Sequence, residues 1–278
     1  MTTTARRDGQ DHARLAMLGA GRMGQAIIAG LLRGGWPADR ITAAEAHDAT
    51  AQAVREQLGV RVVSSIGGAV AGAELVVVAV KPHDVLDALR EAAASLAPGA
   101  TVVSIAAGLS TATLAAHLPD GTPVVRVMPN TPSLVGEGMA ALSPAPGCPP
   151  ASVALAAQVL EAVGQVREVP ERMQDAVTAV SGSGPAYVFA VAEAMIDGGV
   201  LLGLPRPLAH DLTVQTLVGA AAMLRDSGEH PAVLREQVTS PGGTTAAALH
   251  ELDRAAMRAA FAEAMKACRD RSVELGAS

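Results

Sequence analysis

The sequence predicts an α/β fold, a doubly wound parallel sheet in the first part of the chain followed by an all-helical second part. Three observations predict it. Up to residue 170, short β-branched runs alternate with amphipathic stretches, the pattern of βαβ units. From Glu171 onward the strand signals vanish and helical periodicity takes over. Between the first apolar run and the first amphipathic stretch lies the glycine-rich hexad GAGRMG, Gly19 to Gly24.

In chain order, RLAMLG (14–19), RITAA (40–44), RVV (61–63), ELVVVAV (74–80), TVVSIA (101–106) and PVVRVM (123–128) read as strands. ELVVVAV is almost unbroken apolar residue, as a central parallel strand buried on both faces requires. MGQAIIAGLL (23–32) and DVLDALREAAASL (84–96) are amphipathic and end at glycine or proline, as helices do. Farther on, 175–203, 205–228 and 244–275 are helical by period and propensity. Pro205 and Pro231 stand at starts, and Gly203 and Gly228 at ends. These helices carry apolar residues on more than one face, which calls for burial in a subunit interface; the alternative is an ordinary compact bundle. The expected organisation is a disordered polar tail over 1–13, a sheet domain over 14–170 and a helical dimerisation and substrate domain over 171–278.

Bulk properties narrow the function. The 278 residues carry a formal net charge of −6 and four aromatic side chains. That combination argues against general affinity for nucleic-acid phosphates and against a base-stacking platform. The amino-terminal MTTTARRDGQDHAR lacks an apolar signal core, and the apolar runs fall short of a membrane span. Two cysteines, Cys148 and Cys268, form neither a disulfide framework nor a metal spacing, so no metal is expected and a reducing cytoplasm is.

The hexad carries the first chemistry. Gly19 permits the tight turn, Gly21 lets the backbone approach a pyrophosphate, and Gly24 allows close helix–strand packing. The diphosphate would rest on the helix N-terminus, with Ala20, Arg22 and Met23 completing the loop. Glu45 follows Gly24 by 21 residues, at the end of the second strand, the place for an acceptor facing the adenosine ribose. The first domain is therefore expected to be of Rossmann type and to bind NADPH or NADH. AVKP (79–82) and IAAG (105–108) follow strong strands, where such sheets bind ligands; each reads as a coenzyme contact or as an ordinary loop. VMPNTP (127–132) forms a rigid polar corner around Asn130 and Thr131 at another strand end, where Asn130 is expected to contact the coenzyme. SGSGPAY (181–187) interrupts an apolar helix, either for a close helix crossing or for function. SPGGTT (240–245) interrupts another with a proline, two glycines and three hydroxyls, then restarts it at once.

In order and spacing, GAGRMG, AVKP, VMPNTP, SGSGPAY, DGGVLLGLPR and SPGGTT closely resemble pyrroline-5-carboxylate reductases, from Arg14 to Glu274. The resemblance implies a Rossmann domain, a helical dimerisation domain, interlocked homodimers that can assemble further, and a nicotinamide coenzyme. By position it implies coenzyme contacts from Gly19 to Gly24, Val80, Lys81, Pro82 and Ala107, and substrate contacts from Thr244 and Thr245. Two departures stand out. Ile66 replaces an asparagine often present in the family, and Ala44, Glu45 and Ala46 occupy the place of residues suited to a 2′-phosphate.

The opening of SPGGTT then acquires a purpose. The expected substrate, 1-pyrroline-5-carboxylate, is a small cyclic imine with a carboxylate. Ser240, Gly242 and Gly243 leave backbone N–H groups accessible, and the helix N-terminus behind them favours an anion. Thr245 is assigned the catalytic position: it orients the ring nitrogen or relays a proton from water. Two rival functions fit less well. A β-hydroxyacid dehydrogenase needs a lysine on the first interdomain helix, yet the two lysines of the chain are Lys81 and Lys266. A nucleotide-sensing regulator has no need of a hydroxyl-rich loop in the second domain.

Overall fold

The computed structural model describes residues 12–277. The expected tail, 1–13, lies outside them up to Asp11; His12 and Ala13 are described. The His12 ring stands 4.8 Å from that of Trp36, and Ala13 packs on the core, so this end of the tail belongs to the fold.

The described residues form two compact units, 12–182 with 269–277 and 183–268. In the first, β1 (Leu15–Leu18), α1 (Arg22–Arg33), β2 (Ile41–Ala44), α2 (Asp48–Leu58), β3 (Arg61–Val63), α3 (Ile66–Val70) and β4 (Leu75–Val78) succeed one another. Then come α4 (Val85–Ala93), β5 (Thr101–Ser104), α5 (Thr111–Ala115), β6 (Val124–Met128), β7 (Gly138–Pro144), α6 (Pro150–Glu161) and β8 (Gly164–Glu168). The sheet order is β3-β2-β1-β4-β5-β6-β7-β8. The first six strands are parallel to their neighbours, β7 is antiparallel to β6, and β8 is parallel to β7.

Alternation along the strands splits the core into two layers. Leu15 and Met17 of β1 face α1, α2 and α6 in one apolar cluster with Ile27, Ile28, Leu31, Val54 and Leu160. Ala16 and Leu18 face the other way, with Val70, Val85, Leu89 and Leu114. A strand buried on both faces cannot afford polar residues on either, which is why β1 and β4 are wholly apolar. The strand order reverses direction around β1 and β4, and at such a switch point the carboxyl ends of the strands open a crevice.

The expected domain boundary at 170/171 differs from the division at Gly182, for a physical reason. Glu171 accepts hydrogen bonds from the Thr111 N–H and hydroxyl, both at 2.7 Å. Gln174, fully buried, donates to the Ala141 carbonyl and the Ser143 hydroxyl. The chain is thus still anchored to the sheet through α7 (Gln174–Val177) and a π-helical turn, Thr178–Gly182.

The second unit is helical: α8 (Gly184–Leu201), α9 (Arg206–Ser227), α10 (Pro231–Gln237), α11 (Thr244–Arg254) and α12 (Met257–Ala277), whose last turns group with the first unit. The expected helix over 244–275 is broken at Ala255 and Ala256, where Ala256 adopts φ +56°. Helix α8 buries none of its residues, and Phe189, Leu201, Leu202 and Val218 are more than half exposed. One finding corrects the expectation about apolar length. The helical stretch Glu171–Leu201, 31 residues long, is long and apolar enough by length and composition to cross a bilayer.

One contact pins the outer sheet. A Cβ on Gly164, at the start of β8, would overlap the Gly138 carbonyl of β7. Gly164→Ala is expected to cost about 3 kcal/mol and to lower Tm by roughly 6–12 °C; calorimetry showing an unchanged Tm would refute this account of the β7–β8 junction.

Candidate active site

The crevice at the ends of β1, β2 and β4 is a cleft of about 620 Å³. Five expected coenzyme residues line it together: Gly19, Gly21, Glu45, Val80 and Lys81. Three glycines shape the turn by different means. Gly19 takes φ +91°, and a Cβ there would press on Ala79 and Val80 at 3.0 Å. Gly24 lies so close beneath that a Cβ would overlap the Gly19 carbonyl oxygen. Gly21 is different, because a Cβ on it would meet nothing within 4 Å. It caps α1 without a side-chain hydrogen bond, so the first-turn N–H groups are left for a ligand whose phosphates approach the backbone. The residues present therefore fit a dinucleotide.

Ala20, Arg22 and Met23 are expected contacts that do not line the cleft. Ala20 is buried; its N–H donates to Glu45 Oε2 at 3.1 Å and its carbonyl accepts from Gln25 at 2.6 Å. Glu45 is thereby held from both sides, since its Oε1 accepts from the His47 N–H at 3.0 Å and faces His47 Nδ1 at 3.2 Å. Its side chain is only 10% exposed. Burial pushes the carboxyl up, but the hydrogen bonds from His47 and Ala20 outweigh it and hold the group below the usual carboxylate range. Glu45 is a fixed anion facing the cleft.

Lys81 is exposed and precedes the short turn Pro82–Asp84. Pro82, Ala107 and Asn130 stand outside the cleft lining. Asn130 is engaged at both ends of its amide: Oδ1 accepts from the Met139 N–H at 2.9 Å and Nδ2 donates to the Ser181 carbonyl at 3.0 Å. It braces the polar corner against the π-helical turn, where a widened backbone spacing leaves carbonyls needing donors.

The cleft also holds residues the sequence reading missed: Ser64, Asp84, Asp87 and Glu91. Asp84, Asp87 and Glu91 fall at i, i+3 and i+7, one face of α4 and its lead-in; that spacing, directly after AVKP, was the available signal. Glu91 accepts from the Ile66 N–H at 3.1 Å, and Ile66 itself lines the cleft.

The second unit holds the SPGGTT loop. The Gly243 N–H, expected to be accessible, instead donates to the Ser240 carbonyl at 3.0 Å, closing a turn in which Gly242 takes φ +66°. A Cβ on Gly243 would overlap the Ser240 hydroxyl oxygen. Gly243 caps α11 without a side chain, Thr244 and Thr245 form its first turn, and Thr245 is half-buried. The result is a helix N-terminus with free N–H groups and two hydroxyls, an arrangement suited to a carboxylate.

Comparisons with known proteins give the family of the chain. Residues 171–275 match the family profile described as pyrroline-5-carboxylate reductase dimerisation. Residues 14–108 match the one described as NADP oxidoreductase coenzyme F420-dependent. The pyrroline-5-carboxylate reductase of Corynebacterium melassecola is 40% identical over 265 residues, covering 94% of this chain and 98% of its own. The chain belongs to the pyrroline-5-carboxylate reductase family. Two solved family structures superpose along nearly its whole length. That from Coxiella burnetii does so at a TM-score of 0.91 and 33% identity, covering 95% of this chain and 99% of that one. That from Plasmodium falciparum, with NADP bound, does so at 0.86 and 28%, covering 96% and 100%.

The cleft geometry separates two glycines that look alike in sequence. Gly21→Ala is expected to leave Tm within about 2 °C and to weaken coenzyme binding at least about tenfold, or 1.4 kcal/mol. Gly24→Ala is expected to lower both stability and binding. Calorimetric melting and coenzyme titration of the two variants check this, and equal damage from both refutes the assignment.

Proposed function

We propose that this chain reduces 1-pyrroline-5-carboxylate to proline with NADH or NADPH. The observation that carries the reading is the pairing, in one chain, of a glycine-turn dinucleotide cleft with an uncapped helix N-terminus bearing two threonines. The 40% identity to a pyrroline-5-carboxylate reductase over 94% of the chain supports it. When bound, the reduced nicotinamide supplies the two electrons and one hydrogen that the imine carbon gains.

The protein supplies position. Gly21 and the first turn of α1 hold the diphosphate, with Glu45 at the adenosine ribose and Lys81, Val80, Pro82 and Ala107 along the strand ends. Ser240, Gly242, Gly243 and Thr244 form the carboxylate cradle, in which the α11 N–H groups face the anion. Thr245 directs its hydroxyl to the ring nitrogen. A threonine hydroxyl is too weak an acid to protonate an imine alone, so Thr245 orients that nitrogen and passes on a proton from water. Alignment of this kind lowers a barrier by several kcal/mol, of the order of the ~7–11 kcal/mol found in well-oriented intramolecular reactions.

The exposed apolar faces of α8 and α9 belong, in this reading, to a homodimer interface and not to a bilayer. The stretch Glu171–Leu201 lies wholly within the residues matched by the dimerisation profile, and burying its apolar side chains against a second copy is favourable at roughly 25 cal/mol per Å². A reducing cytoplasm suits the coenzyme chemistry and the two unpaired cysteines.

Steady-state assays with 1-pyrroline-5-carboxylate and both reduced coenzymes test the reaction. Thr245→Ala is expected to lose at least about tenfold in kcat/KM for the imine, or 1.4 kcal/mol, with coenzyme affinity unchanged; retention of activity within about twofold removes Thr245 from the mechanism. Sedimentation at micromolar concentration without detergent is expected to show a dimer or larger, and a fully active monomer refutes the interface.

A further inference from the structure

The cleft is strongly asymmetric in charge. Glu45, Asp84, Asp87 and Glu91 all line it, against Lys81 and the ring of His47. Glu45 sits where the ribose of an adenine nucleotide meets the end of the second strand. It cannot turn away without leaving the buried-loop N–H of Ala20 and the N–H of His47 without their acceptor. Nearby cations are committed elsewhere. His47 Nδ1 faces Glu45 Oε1, Arg55 donates to the Val62 carbonyl, and Arg90 pairs with Asp87. Arg22 opens α1 at an exposed position outside the cleft lining.

We propose that Glu45, clamped by Ala20 and His47, selects NADH over NADPH in this chain. A ribose 2′-hydroxyl donates a hydrogen bond to the fixed carboxylate. A 2′-phosphate has no proton to offer at neutral pH beyond a fractional one, and it places up to two negative charges against that carboxylate. Thr50 and Ser64 are the neutral hydroxyl residues lining the cleft, which is too little to offset the repulsion. The clamp makes Glu45 a specificity-determining residue whose position is built into the glycine turn itself.

This inference rests on the reductase reading only for the class of coenzyme, so it is tested by binding without the imine. Calorimetric titration of the full chain in dilute buffer is expected to give NADH an affinity at least about tenfold above that of NADPH. Glu45→Gln keeps an amide oxygen for the Ala20 N–H and removes the charge. It is expected to bring the ratio below about threefold, chiefly by tightening NADPH, as removal of a like-charge contact predicts. Wild-type protein that binds NADPH as tightly as NADH, or a folded Glu45→Gln variant with an unchanged ratio, overturns the proposal. Should that variant not fold, the wild-type ratio is measured again at high salt, where the gap is expected to shrink by screening; a ratio indifferent to salt overturns it as well. A chain that selects NADH yet leaves the imine unreduced refutes the reaction and upholds the selection, and a chain that binds neither coenzyme refutes both.

Discussion

The coenzyme half of this molecule hangs on one close approach, the packing of Gly24 against the Gly19 carbonyl. Any side chain at Gly24 would hold the start of α1 away from the end of β1. With that contact made, α1 begins directly over the strand, its first N–H groups point across the sheet edge, and Gly21 lies bare to the cleft. The two apolar layers keep this turn in place, since Ile27 and Ile28 of α1 and Met17 of β1 are completely buried in the same cluster. Packing and binding are therefore consequences of a single contact.

A second link ties β2 to the same turn. Glu45 spans from the end of its strand to Ala20, and its backbone N–H donates to the Val63 carbonyl on the far side. Three adjacent strands, β1, β2 and β3, are thus tied at their carboxyl ends by one residue. The energetics are those of a buried carboxylate rescued by hydrogen bonds: desolvation disfavours the anion, and directed N–H donors more than compensate. Such a group is costly to displace and rigid in direction, which suits a site that must tell one ribose from another.

Local contacts were the legible part of the sequence. GAGRMG, the six parallel strands and the turn at SPGGTT each show as a pattern within a few consecutive residues, and those patterns survive in the structure with ends shifted by at most two positions. Contacts distant in sequence were not legible. Strands β7 and β8 escaped because GMAALSP is built of small residues and GQVRE is mostly polar on an edge, so neither shows a clear alternation. Asn130 reads as a ligand contact in its rigid corner, whereas its amide serves Met139 and Ser181, the latter 51 positions away. The acids on α4 and its lead-in lie in an ordinary amphipathic pattern, whose polar face does not by itself tell a cleft from solvent. The break at Ala256 contradicts local propensity outright, because alanine is the best helix former.

That break shapes how the proposed carboxylate cradle is aimed. A left-handed alanine costs on the order of 1–2 kcal/mol, and the corner is held by Ala255 and Ala256 N–H groups bonded back to Glu251 and Asp253. Helix α11 is consequently a short rod with its own axis, not the opening turns of the 21-residue α12. The electric field at its amino end can point in a direction that the long terminal helix does not share. If the corner straightened into one continuous rod, that field would swing with the new axis, and the cradle would lose its aim with every hydroxyl and glycine still present.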